Sequence, residues 1–258
     1  MSDAVRVTIE QPVGRLTLDR PKVLNAIDGT LLEQLTAGLR RLDADPGVRA
    51  IALDSACERA FSSGIDVAWV KDLDPAGARE VGRALHRAFD AVRTADTIVV
   101  ALVDGLCLGA GLELAVSCDL LLASERSEFG LPNIDVGIPA IVEAAILPAC
   151  VGIQGARELA YTGRRWDAAT AERRGLANVS VPEAEFERAA ADWLELVAAK
   201  SPRALALQKD IIHKWMTTDL EAAIDHSINT VALAWRTPGQ REGMGAFLEG
   251  REASFEDD

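Results

Sequence analysis

Three nearly unbroken apolar runs, VRAIALDS, TIVVALVDG and DLLLASE, constrain the fold of this chain more than any other feature. Each is short enough for a strand and apolar at successive positions, the pattern of a strand buried on both faces. Helical patterns separate them. DVAWVKDL and AREVGRALHRAFDAVRTA lie between the first two runs, and LCLGAGLELAVSCD, a glycine-rich turn opening an apolar helix, lies between the second and third. Ahead of them, VRVTIEQP and GRLTLDR alternate around a short glycine-containing turn, as a hairpin does. A helix follows from Asp28, a good N-cap, with Leu31, Leu32, Leu35, Leu39 and Leu42 on one face. This order predicts an α/β layer architecture with helices covering the sheet. From Gly152 onward the pattern is helical, interrupted by one expected strand, LANVSV. Pro182 and Pro202 stand where helices can begin, and the acidic tail FEDD is expected to fray.

Composition narrows the function classes. The 258 residues suffice for one large domain, or a main domain with a small appendage, and no run approaches the roughly 18 apolar residues of a membrane span. The N-terminus enters a strand directly, without a basic-then-apolar leader, so a cytoplasmic location is expected. Cys57, Cys107, Cys118 and Cys150 lack CxxC spacing and read as reduced thiols, mostly buried. His86, His213 and His226 form no HExxH pattern, so no metal site is expected. A net charge of −13 repels nucleic-acid phosphates and does little to steer a polyanion. A phosphate-bearing ligand therefore needs local Lys or Arg.

The stretch Gly109-Ala110-Gly111-Leu112-Glu113-Leu114 invites comparison with a dinucleotide-binding turn. It has leucine where the sixth position calls for glycine, and the turn starts several residues beyond the TIVVALVDG strand, so NAD binding is not expected. What is left is a helix start with outward N–H groups near Ala110, suited to a developing oxyanion. Alternatively the two glycines only permit close packing. A second loop, Ala60-Phe61-Ser62-Ser63-Gly64-Ile65-Asp66, places small residues between a buried strand and a helix, so that the N–H of Ile65 can be exposed in the same way. Two such donors converging would form an oxyanion hole, where a single donor is worth roughly 2.7–4 kcal/mol.

The sequence resembles the enoyl-CoA hydratase/isomerase, or crotonase, family. The resemblance runs nearly end to end, through Arg20-Pro21-Lys22-Val23-Leu24-Asn25-Ala26, Phe61 to Asp66, Val103-Asp104-Gly105 to Ala115, Cys118-Asp119, Phe129-Gly130 and Arg241-Glu242-Gly243-Met244 with Ala246-Phe247. It implies a crotonase-like spiral core of repeated ββα units over residues 1–195 and a helical trimerisation segment over 196–258, forming a trimer or a pair of stacked trimers. It also implies an acyl-CoA thioester as substrate, with coenzyme A entering as part of it and no permanently bound cofactor. The oxyanion donors would be the N–H groups of Ile65 and Ala110. Lys22, Val23, Leu24, Ser63, Asp66, Val67, Ala68 and Gly109 would hold the CoA ester.

Glu113 matches one of the two catalytic glutamates of the family's hydratases, although a first-turn glutamate also stabilises a helix dipole. At the position of the second, after Phe129-Gly130-Leu131-Pro132, stands Asn133, an amide that can orient water but cannot donate and recover a proton as a carboxyl does. Family members with other chemistry carry a carboxylate further along, where this chain has Ile141. Of the nearby carboxylates, Asp135 reads as a turn or salt-bridge residue. Glu143, inside the apolar run IPAIVEAAILPA, is a candidate partner with a raised pKa if it faces a cavity, and a helix-start carboxylate if it faces solvent. Tyr161, Ser62 and Ser63 have no visible base beside them. The favoured reaction is reversible hydration of a 2-enoyl-CoA. Alternatives are isomerisation, decarboxylation or thioester hydrolysis in the same hole, and a CoA-ester-binding protein without activity.

Overall fold

The computed structural model describes residues 3–255. In chain order, β1 (Val5–Glu10), β2 (Val13–Leu18) and α1 (Gly29–Asp43) are followed by β3 (Ala50–Ser55), β4 (Ala60–Ser62), α2 (Val67–Val70) and α3 (Pro75–Thr94). Next come β5 (Val99–Val103), β6 (Leu106–Leu108), α4 (Ala110–Ala115), β7 (Leu120–Ser124), β8 (Glu128–Gly130) and α5 (Leu147–Thr162). The chain closes with β9 (Arg165–Asp167), α6 (Ala168–Arg173), β10 (Val179–Val181), α7 (Phe186–Ala198), α8 (Pro202–Thr217), α9 (Leu220–Ala234) and α10 (Pro238–Glu249).

The strands form two sheets, in the orders β1-β2-β3-β5-β7-β10 and β4-β6-β8-β9. Each long buried strand of the first sheet is followed at once by a short strand of the second, then by helix: β3 by β4, β5 by β6, β7 by β8. This is the ββα repeat. Beyond the β1–β2 hairpin the first sheet is parallel, which explains its uninterrupted apolar runs. Successive residues go to opposite faces: Ile51, Leu53, Val99 and Ala101 join the main core, while Ala50, Ala52, Val100 and Leu102 pack under Phe186, Ala190, Leu194 and Val197 of α7. The five α1 leucines are all buried, and Asp28 caps that helix by accepting from Leu31 N–H at 2.9 Å.

Several expectations change. AFSSGID is not all loop, because Ala60–Ser62 pairs with β6 in the second sheet. DVAWVKDL supplies a single helical turn, Val67–Val70. The helical half holds a second strand, β9, as well as LANVSV. The glycine turn does follow a strand directly, since Leu106–Leu108 lies between TIVVALVDG and Gly109. Residue 195 falls inside α7, whose Val197 and Ala198 still pack on the sheet, so the core continues to that helix's end. In the tail, Phe255 is tied down by Arg49 Nη1 donating to its carbonyl at 3.0 Å; the rest of FEDD lies outside the described residues. Among the described residues no helix is long and apolar enough to cross a membrane.

Candidate active site

β4 and β6 run parallel with Ala60 opposite Leu106 and Ser62 opposite Cys107, so the chain leaves both strands side by side and in the same direction. Each exit turns on a glycine with positive φ, Gly64 at +102° and Gly109 at +53°. The two turns abut: a Cβ on Gly64 would stand 2.9 Å from the carbonyl oxygen of Leu108 and 3.5 Å from the nitrogen of Ala110. A Cβ on Gly111 would sit 2.6 Å from that of Ser62, so this glycine lets α4 lie against β4. Ser62 itself is buried and ties the loops together, donating to Asn25 O at 2.8 Å and accepting from Gly64 N–H at 3.2 Å. Among the described residues, neither the N–H of Ile65 nor that of Ala110, the first residue of α4, has an acceptor.

Both residues line a cavity of about 420 Å³ shared with Glu113 and Asn133. Its walls are mostly apolar, from Val70, Leu73 and Leu85 on one side to Ile138 and Ile141 on the other. Glu113 is only 1% exposed, and Oε2 accepts from the backbone N–H groups of Val142 at 2.9 Å and Ala144 at 3.1 Å. Burial pushes its carboxyl above the ordinary glutamate range, against the pull of the Ala144, Val142 and Ile141 amides. Asn133 Oδ1 is buried without a hydrogen-bond partner and lies beside Gly109, where a Cβ would stand 3.2 Å from it. Such an acceptor is costly unless something occupies it.

The sequence profile of the enoyl-CoA hydratase/isomerase family matches residues 8–258. The chain belongs to this family. It is 31% identical over 247 residues to the crotonyl-CoA hydratase of Syntrophomonas wolfei, covering 95% of each chain. It is 34% identical over 257 residues to a probable enoyl-CoA hydratase of Rhizobium meliloti, covering 98% of each. The crystal structure of an enoyl-CoA hydratase from Mycobacterium smegmatis superposes with a TM-score of 0.94 at 27% identity, over 98% of this chain and 99% of that one.

Of the residues the sequence singled out in this family member, Ser63, Ile65, Val67, Gly109, Ala110, Glu113 and Asn133 share the cavity wall. Lys22, Val23 and Leu24 lie one layer out, in and after the exposed 3-10 turn Pro21–Val23, joined to the first loop by Ser63 N–H donating to Leu24 O at 2.9 Å. Asp66 is engaged structurally: it caps α2 through Ala68 N–H at 3.0 Å and pairs with Arg20 at 3.3 Å. Asp135, expected in a turn or salt bridge, lines the cavity from the 3-10 turn Pro132–Val136. Glu143 does not reach the cavity wall. It is buried at 4% exposure, and its Oε1 lies 2.7 Å from Nδ1 of His86 on α3. Sequence reasoning quoted Asn25 within its motif but missed its role: it is fully buried and anchors the Arg20–Ala26 loop through Ser55 Oγ and Phe61 O. It also missed the amides of Val142 and Ala144, for which side-chain identity carries no signal. Among the described residues no three His, Cys, Asp or Glu side chains stand close enough to hold a metal ion.

Proposed function

We propose that this protein hydrates 2-enoyl-CoA thioesters reversibly. One observation carries the reading: Ile65 and Ala110, whose backbone N–H groups have no acceptor among the described residues, line the same apolar cavity as a buried carboxylate of raised pKa. The thioester oxygen accepts from Ile65 and Ala110, and the acyl group lies along the apolar walls. The exposed loop around Lys22, Val23 and Leu24, with Ser63, Asp66, Val67, Ala68 and Gly109 behind it, receives the CoA portion. Glu113 takes a proton from water as the water oxygen bonds to the β-carbon and the double-bond electrons move to the thioester oxygen. The enolate then collapses, and Glu113 returns that proton to the α-carbon. One water is consumed and no oxidant or reductant is needed. The unpartnered Oδ1 of Asn133 accepts a hydrogen bond from the same water and orients it.

The reading includes assembly through the C-terminal helices as a trimer or a pair of stacked trimers. Supporting it, Leu220 is 75% exposed and Phe247 and Leu248 are each 84% exposed, a wetted apolar surface that invites a partner. Four free, scattered cysteines fit a reducing cytoplasmic setting.

Asn133 favours a second reading. With an amide there, Glu113 can instead shuttle one proton between the γ- and α-carbons, which isomerises the double bond. The test follows the enoyl absorbance and product mass of crotonyl-CoA and longer enoyl-CoA esters with wild type, Glu113→Gln and Asn133→Glu. Hydration predicts a product heavier by one water and its loss in Glu113→Gln; a product of unchanged mass supports isomerisation. Binding without turnover by wild type overturns the enzyme reading, and hydration gained only in Asn133→Glu overturns the assigned reaction.

A further inference from the structure

Val142, Glu143 and Ala144 are stretched between a carboxylate and an imidazole. The N–H groups of the outer two residues converge on Glu113 Oε2, while the side chain of the middle one is tied to a different element, through His86 on α3. The segment also has Val142 and Ala144 partly buried against the main core. It enters from Ile138 to Ile141, mostly exposed and without regular structure, and the short 3-10 helix Glu143–Ile146 begins without a side-chain cap on its first turn. A segment that follows such a stretch is steadied by a tether to a packed helix. The Glu143–His86 bond is such a tether, made by a carboxylate that is costly to bury and has its second oxygen unpartnered.

We infer that Glu143 and His86 form a positioning pair: by pinning the 142–144 segment to α3 they hold two backbone N–H groups on the carboxylate of Glu113. This assignment rests on Glu113 being the acid/base of the proposed reaction. It replaces the expectation that Glu143 transfers protons itself, since its side chain is not part of the cavity wall. With Glu143 ionised, His86 Nδ1 is the donor. The titratable and charged groups facing Glu143 from α3 are His86, Asp90 and Arg93, and Arg93 is in turn bonded to His213 of α8 at 3.0 Å. Glu113 faces it from the other side.

Loosening the tether withdraws donors that favour the ionised form of Glu113, so its pKa rises further and the carboxylate needed as base appears only at higher pH. In His86→Ala, which cuts the tether but keeps the Glu143 carboxyl that itself helps to raise the Glu113 pKa, the acid limb of the kcat profile for crotonyl-CoA moves up by about one pH unit, so that kcat measured on that limb drops on the order of tenfold. KM is little changed. Because His86 is half-exposed, this variant tests the tether without opening the core. Glu143→Gln, which still accepts from His86 and removes the neighbouring charge, keeps the limb at or below its wild-type position. If His86→Ala leaves the limb unmoved, the pair is merely structural and the inference fails. If Glu143→Gln is as inactive as Glu113→Gln, Glu143 transfers protons and the inference also fails. Should wild type turn over no enoyl-CoA, the hydration reading fails by itself. The tether is then read from the infrared titration of the Glu113 carboxyl, taken as wild type minus Glu113→Gln and repeated in the His86→Ala background. An upward move in that background sustains it, and an unmoved band overturns it.

Discussion

Substituting alanine for Gly64 tests the convergence of the two loops at its tightest point. The new Cβ meets the carbonyl oxygen of Leu108 at 2.9 Å, and reaching ordinary van der Waals separation at 3.4 Å demands a movement of about half an ångström. That oxygen is backbone of the strand feeding Gly109 and Ala110, so it cannot swing aside as a side chain would. Catalytic donors must be held within about 0.5 Å of their productive position. The displacement is therefore large enough to lose one N–H bond to the enolate, worth on the order of 10²–10³ in kcat. Alanine at φ +102° adds strain of about 1–2 kcal/mol, a few degrees in Tm for a chain of this size. Gly250→Ala is the control. It too has positive φ, +68°, but its Cβ would meet nothing within 4 Å, so it adds backbone strain without touching the site. Steady-state kinetics on crotonyl-CoA, with thermal unfolding of each variant, separates the two effects. A Gly64→Ala enzyme with wild-type kcat, or a Gly250→Ala enzyme that loses kcat as Gly64→Ala does, would refute the assignment of the hole to the Ile65 and Ala110 amides.

Because burial raises the pKa of Glu113 and the proposed reaction starts from its carboxylate, kcat should fall on the acid side through a pKa above the ordinary glutamate value, and Glu113→Gln should cost roughly 10²–10⁴ in kcat. Lys209→Met should destabilise the fold by about 3 kcal/mol in urea titrations, because Lys209 Nζ bonds Asp119 at 2.7 Å, Val92 O at 3.1 Å and Thr97 O at 3.2 Å and its loss strands a largely buried carboxylate. Burial already raises the Asp119 pKa, against Lys209, so the deficit should shrink as pH falls and Asp119 becomes neutral; a deficit growing toward acid pH would contradict this. Replacing both Phe247 and Leu248 with aspartate should shift sedimentation velocity toward monomer while leaving the far-UV spectrum unchanged. An unchanged sedimentation coefficient would place the subunit contact elsewhere.

What the sequence disclosed, and what it hid, follows from the length scale of each signal. The strands of the first sheet are long enough for their apolar runs to stand out, and α1 repeats its leucines over several turns. The second sheet is built from three-residue strands, Ala60–Ser62, Leu106–Leu108, Glu128–Gly130 and Arg165–Asp167, too short to show an alternation. Yet these strands deliver the site, which is why Gly109 looked detached from any strand. Glu143 shows the same limit. Its apolar neighbours left burial and exposure both open, and whether such a carboxylate faces a cavity, solvent or a histidine 57 residues away depends on tertiary packing alone.

The site divides into a half made of backbone and a half made of side chains. In the proposed mechanism Ile65 and Ala110 act through N–H groups, so their identities matter less than the glycines that turn the chain before them. Proton transfer in that mechanism depends on particular side chains, and there Asn133 stands where the family resemblance leads one to expect a carboxylate. The consequences are unequal. An amide oxygen with no internal partner can hold and aim a water molecule, but it cannot exchange a proton with one at neutral pH. The proton removed from that water must therefore rest on Glu113 until the α-carbon receives it. A single residue serving as base and then as acid needs a pKa between that of an ordinary carboxylate and neutrality, so that neither transfer is steeply uphill. Burial supplies the upward push and the Val142 and Ala144 amides limit it, which makes the position of that short segment as consequential for turnover as the identity of Glu113 itself.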